Sequence, residues 1–546
     1  MIVEKQLDVP PVEPGVLVHR RKPLVLGTSL RQAAVFLLFL ALVLSLQVAS
    51  GAYHAEFSGY PDEPAHYVTS LMVHNYITNL KLVSPLQFAW DFYHHYPKVA
   101  FGHWPPFFYA VQAVWMMLFS PARASIRLEL AFTTALLAYA LFGEARRWFG
   151  WKAAVLAGML MICLPLVQTY TDEEMAEMLL ALLCFWSAIY FARYLDSERW
   201  QDNLAFGIFF SLAVLTKGNG WLLAFIPPAG LLLTRKLRLV MRPSFWASAP
   251  VIALACIPWQ LMTMQVAERG WVGGSWPNLH YTTRALAQFL RIFIAIPGPV
   301  LSAFIGLGVI VTVLAPMLRK PVASGPAVML ALILGVWIFH SLVPAGVEDR
   351  KLLIAVPALI LFLLAGAIWI ADRLPFGNPL IKWRRALLAI AIALFFFIQT
   401  FAIPHFRHYG YTEAARFITS ILPSRAETVL VSSKSGGEGL LVSEIAMDEP
   451  HPTRIIIRAT KALADVDWSA SRYRSLFTTP AEVMSYLDQQ NVNLVVLDTF
   501  APQNQFLHDD LLKQAVQQFP RMHLIATFHP LDAIAGQIQI FQRDNR

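Results

Sequence analysis

Charge is what this sequence has least of. Charged residues make up 14% of the 546-residue chain and hydrophobic residues 57%, whereas a soluble globular chain carries about 25% charged residues. That scarcity excludes an ordinary water-soluble globule and implies a chain that crosses a membrane repeatedly. Cysteine is nearly missing too. Cys163, Cys184 and Cys256 all sit in apolar runs, so no disulfide framework is implied. No nucleotide-binding glycine fingerprint occurs: "SGGEG" at 435–439 lacks both the phosphate-loop lysine and the dinucleotide spacing. Internal repeats and low-complexity tracts are absent as well. No small-residue cleavage site follows the first apolar run, which is therefore expected to stay as an anchor. The net charge of +8 is better read as basic cytoplasmic loops than as a nucleic-acid surface.

Eleven apolar runs approach the roughly 20 residues needed to cross a bilayer: 33–53, 125–145, 152–170, 175–195, 203–216, 219–234, 244–264, 299–317, 326–344, 352–371 and 385–403. The fifth and sixth are short and flank "TKGNGW", which predicts a tight hairpin. Two further stretches, 105–119 and 286–296, are aromatic-rich or carry a charge and read as helices lying along the interface. Arg20, Arg21, Lys22 and Arg31 place the segment 1–32 in the cytoplasm. Alternation then puts every other basic cluster there too, from Arg146/Arg147 to Arg384/Arg385. The loop 54–124 and the turn after the third span face outward. Residues 405–546 alternate short β-like runs (428–433, 454–459, 493–498, 523–528, 537–542) with helical stretches, predicting a small α/β domain on the outer face.

Two acidic clusters share that face: "PDEPAHY" (61–67), with Asp62 and Glu63, and "YTDEEMAE" (170–177), with Asp172, Glu173, Glu174 and Glu177. With "GHWPPFFY" (102–109), "LTKGNGWL" (215–222) and, more loosely, "EDRKLLIAVP" (348–357), they form an ordered set. The set resembles the integral-membrane glycosyltransferases of the GT-C fold, in the bacterial branch related to protein O-mannosyltransferases and aminoarabinose (lipid A) transferases. The family shows "KPPLYYW" and "LTKGP" at the third and fourth of these places. The resemblance covers about residues 33–404. It implies an inverting transfer of sugar from a polyprenyl-phosphate donor to a glycolipid, polysaccharide or protein acceptor, at the outer face of a bacterial inner membrane.

Inverting transfer needs a base for the acceptor proton and fixed cations for the departing phosphate. The resemblance makes Asp62 the base, Glu63 its alternative or partner, and Asp172 the group that orients acceptor or sugar or helps bind a cation. Lys217 leads the phosphate-binding candidates, with Arg269, Arg350, Lys351 and Arg284 on other outer segments. Tyr60, Tyr67, Trp104 and Glu173 are candidates for sugar or acceptor contact. His103 stands where the family often has lysine, so phosphate binding there would depend on pH. No cofactor is required. The histidine-rich loop nonetheless leaves a divalent metal open, with Asp91, His94 and His95 as ligands. Two other classes remain open: a transporter, or a non-catalytic scaffold with a glycan- or partner-binding outer domain.

Overall fold

Each of the eleven apolar runs is helical in the computed structural model. It describes residues 26–544 apart from 80–82, 101, 270, 272–273, 374–382, 403–404, 422–426, 434, 450, 467–472, 501–505 and 533. Most of the segment 1–32 and the basic residue Lys382 therefore lie outside the described residues. Among the described residues, eight helices are long and apolar enough to cross a membrane alone. A ninth span, Trp151–Ile162 followed by Pro165–Asp172, is bent by 62°. The single straight helix expected over 152–170 is thus broken. Pro165 lacks the N–H and its ring clashes with the preceding turn, so the chain restarts its helix there in a new direction. The short pair is Trp200–Thr216 and Gly218–Leu233, the latter beginning as a 3-10 turn.

The two stretches expected to lie at the interface are both helical, each with a buried and an exposed apolar face. Phe107–Leu118 has 12 residues, about 18 Å at 1.5 Å per residue, too short to span. It buries Phe108, Tyr109 and Met116 while exposing Val114, Met117 and Leu118. The helix Leu279–Ala295 buries Ala285 and Phe289 and exposes Leu290 and Ile294.

All five expected strands of the C-terminal region form one mixed sheet. The strands in chain order are β1 (Thr428–Ser432), β2 (Ile455–Arg458), β3 (Ala464–Val466), β4 (Tyr473–Ser475), β5 (Val492–Asp498), β6 (Met522–Phe528) and β7 (Ile538–Arg543). The sheet order is β2-β1-β5-β7-β6, with β1 parallel to β2 and β5, and β7 antiparallel to β5 and β6. β3 and β4 pair separately.

This domain shares its core with the first loop. Phe57, Tyr67 and Val68 of the first loop share one buried cluster with Tyr411, Ile418, Val429 and Leu441. Glu56, fully buried, accepts the backbone N–H groups of Tyr409 (3.0 Å) and Thr412 (2.9 Å). Arg123 pairs with Glu444, and the Tyr96 hydroxyl donates to Glu449. The sheet domain and the loop before the second span are therefore one packed body, which fixes the position of the acidic loop.

Candidate active site

Pro64 near the first position of the helix Glu63–Thr78 favours helix initiation, which leaves Asp62 as the N-cap. Aspartate there ordinarily accepts a backbone N–H, but Asp62 makes no cap hydrogen bond. Its carboxylate, 19% exposed, instead approaches Arg350, with Nη1 4.0 Å from Oδ2. Burial raises its pKa above the usual aspartate range, and the cations Arg350, Lys217 and Lys98 pull it back.

Arg350 begins the short 3-10 turn before the helix Val356–Ala371. Its guanidinium lies over the Tyr60 ring at 4.3 Å, bonds Glu348 through Nε, and places Nη1 3.5 Å from Glu177 Oε1. Lys217 closes the group by pairing with the same Glu177 oxygen. The "TKGNGW" hairpin makes that placement possible. A Cβ on Gly220 would lie 2.5 Å from the Val214 nitrogen and 2.6 Å from the Ala213 carbon, so only glycine lets the chain fold back tightly enough to point Lys217 inward. Arg350 Nη1 and Glu177 Oε2 are buried without a hydrogen-bond partner. Buried polar atoms are nearly always paired, so unsatisfied ones converging on one place mark a site that receives a ligand.

A third cation went unrecognised in the sequence. Lys98 lies against the helix Ser435–Asp448, where a Cβ on Gly439 would be 2.8 Å from its Cε and 3.2 Å from both its Nζ and the Pro64 side chain. Burial, reinforced by Arg458, lowers its pKa to about 8, while Asp62 and Glu438 oppose the shift. No local motif announces this lysine, because its neighbours come from the C-terminal domain.

The structure brings Asp62, Tyr60, Lys217 and Arg350 together. Trp104 stands beside them, stacked on His66 at 4.1 Å between ring centroids. Other expected site residues are placed elsewhere. The acids of 172–177 are all buried. Asp172 ends the helix after Pro165 and accepts the Ser50 hydroxyl at 2.6 Å, so the second acid of the cluster is Glu177 rather than Asp172. Glu63 is fully buried against Arg127 at 3.4 Å. Its oxygens accept the N–H groups of Gly59 (2.7 Å), Tyr60 (3.0 Å) and Glu174 (2.7 Å), so it is saturated as a structural anchor. Glu173 is 5% exposed, and burial together with Glu63 and Glu177 raises its pKa. Tyr67 is wholly buried and donates to the Pro121 carbonyl at 2.9 Å, which leaves it nothing to offer a sugar.

Lys351 spends its ammonium on the carbonyls of Ala345 and Gly346. Arg284 is exposed on the interfacial helix, and His103 is half-buried. The Arg269 side chain lies outside the described residues. Asp91, His94 and His95 do not gather into a metal site. His95 Nδ1 is 2.9 Å from the Asp91 backbone carbonyl, and the two imidazoles meet edge to face. Among the described residues, the group with metal-ligand composition is Glu56, His408 and Glu413, at the joint between loop and sheet domain.

Comparison with known proteins agrees with this architecture. Residues 103–261 match the model of the dolichyl-phosphate-mannose-protein mannosyltransferase family. No curated protein matches the sequence. Among solved structures, ArnT from Cupriavidus metallidurans bound to undecaprenyl phosphate superposes with a TM-score of 0.56 at 15% identity, covering 92% of this chain and 97% of that one. Its apo state gives 0.59, covering 95% and 98% at 15% identity. The oligosaccharyltransferase AglB from Archaeoglobus fulgidus, in complex with an inhibitory peptide and a dolichol-phosphate, gives 0.54 at 12% identity, covering 86% and 70%.

Proposed function

We propose that this chain, a multi-pass membrane protein with the GT-C fold, is an inverting glycosyltransferase. It takes a sugar from a polyprenyl-phosphate donor at the outer face of a bacterial inner membrane and passes it to a hydroxyl-bearing acceptor. One observation carries the reading: a carboxylate left uncapped at a helix start lies 4.0 Å from an arginine whose side chain is only 11% exposed and that, with Lys217, converges on Glu177. A base and a pair of phosphate-binding cations are thereby held within one ligand's reach.

In this assignment Asp62 removes the acceptor hydroxyl proton as the new C1–O bond forms on the face opposite the phosphate. The bond from C1 to the phosphate oxygen breaks, and its electron pair leaves with the carrier phosphate. Lys217 and Arg350 stabilise that growing charge in a site with little water to screen it, and Lys98 adds a third positive group. Glu177 holds both leading cations in place before the donor enters. Tyr60, under the guanidinium, and Trp104 offer aromatic faces for a pyranose. The neighbours' bound undecaprenyl phosphate and dolichol-phosphate support a polyprenyl-phosphate donor. The inhibitory peptide on one of them is consistent with a protein acceptor, alongside glycolipid or polysaccharide.

The test is incubation of the purified protein, reconstituted in closed liposomes, with a panel of polyprenyl-phosphate sugars and a mixed acceptor extract, following free carrier phosphate and transbilayer movement of the donor. Release from at least one donor, dependent on acceptor, is expected. Movement of lipid-linked sugar across a bilayer without carrier release would identify a transporter instead, and neither outcome would leave a scaffold.

A further inference from the structure

Four residues after Asp62, and so on the same face of the helix Glu63–Thr78, His66 is 1% exposed. Its ring is clamped on three sides: stacked on Trp104, edge-on to Phe108 at 5.5 Å, and near-parallel to Tyr109 at 5.9 Å. Nδ1 is 3.0 Å from the Tyr109 hydroxyl. Nε2 is buried with no partner at all. Arg350 Nη1, Glu177 Oε2, Glu173 Oε2 and both Glu174 carboxylate oxygens are orphaned in the same way.

The structural role open to a core histidine accounts for Nδ1 and the stacked ring but not for Nε2. A histidine kept only for packing would be expected to satisfy both nitrogens. Burial and the nearby cations Lys217 and Arg350 lower the imidazole pKa to about 3, against the pull of Glu177. The ring is therefore neutral across the working range and carries a single proton. With the Tyr109 phenol taken as the donor to Nδ1, 3.0 Å away, that proton lies on Nε2. A neutral N–H held among cations is suited to an anionic acceptor.

We propose that His66 is a further ligand-contacting residue: its Nε2–H donates a hydrogen bond to a phosphate oxygen of the lipid-linked donor, and Tyr109 fixes the tautomer that makes it a donor. The proposal rests on the glycosyltransferase reading above and adds to it a phosphate contact that carries no charge. His66 transfers no proton. It stays neutral throughout and serves donor and departing carrier alike.

Two isosteres separate this role from packing. In His66→Gln the side-chain amide nitrogen reaches the place of Nε2, and in His66→Asn it reaches only that of Nδ1. The dissociation constant of polyprenyl phosphate is measured for full-length protein in nanodiscs. His66→Asn is expected to weaken binding about tenfold or more and His66→Gln by about threefold or less, since a hydrogen bond to a charged group is at stake. The reverse order, or wild-type affinity in His66→Asn, would overturn the proposal. Tyr109→Phe keeps its ring in the core and guards against poorly folded His66 variants. About threefold weaker binding is expected there, and unchanged affinity would refute the tautomer assignment. A wild-type protein that binds no polyprenyl phosphate would instead sink the glycosyltransferase reading itself.

Discussion

Asp62→Asn is expected to lower kcat by about 10³-fold, the middle of the range for a lost general base, without lowering the melting temperature. The amide keeps the size of the carboxylate, and because Asp62 makes no cap hydrogen bond, no helix-starting interaction is lost. The pH profile supplies a second readout. Burial raises the Asp62 pKa, and the base works only when ionised, so kcat/KM should fall on the acid side at a pH above the usual aspartate range. Lys98 works only when protonated, and its pKa is lowered to about 8, so activity should fall again as pH rises through about 8. Lys98→Arg, which stays charged, should move that alkaline limb upward. An Asp62→Asn protein with more than about a tenth of wild-type turnover would rule out the base assignment, given the magnitude a base supplies.

Arg127→Ala is expected to act in the opposite manner, by destabilising the fold. Arg127 and Glu63 are both fully buried, 3.4 Å apart. The guanidinium also donates to the Glu56 carbonyl at 3.3 Å and lies over the rings of Phe57 and Phe406 at 5.4 and 5.7 Å. Removing it strands the Glu63 carboxylate in the interior, a loss of about 3–5 kcal/mol. Glu63 in turn holds the N–H groups of Gly59, Tyr60 and Glu174, so the loops bearing Asp62 and Glu177 should loosen together. A large drop in melting temperature, with activity lost in proportion to the folded fraction, is the expected result. A variant that melts like wild type but fails in turnover would mean that Arg127 belongs to the chemistry.

These two substitutions show where the sequence was legible. Apolar run length and the basic clusters locate the spans, and short β-like apolar runs locate the five strands, because burial in lipid or in a sheet core imposes those patterns directly. Asp62, Lys217 and Arg350 stand as candidates through the resemblance that the ordered set of motifs carries, and the structure brings them together. Asp172, expected to orient acceptor or sugar, accepts the Ser50 hydroxyl, whereas Glu177 pairs with Lys217; residue spacing in "YTDEEMAE" does not encode which acid meets the lysine. Glu63 and Asp62, adjacent and chemically alike, divide into anchor and proposed base only once Arg127 is seen beside one and Arg350 beside the other. Lys98 owes its place to Gly439 in the sheet domain, a contact far apart along the chain. The polar composition of residues 405–546 hid how deeply that domain shares a core with the first loop.

The most direct test of the central claim is a structure of the protein with polyprenyl phosphate bound. The phosphate is expected between Lys217 and Arg350, on the side facing Asp62, with Lys217 drawn away from Glu177. A headgroup seated elsewhere, with the Lys217–Glu177 and Arg350–Glu177 pairs intact and Asp62 remote from it, would contradict the account.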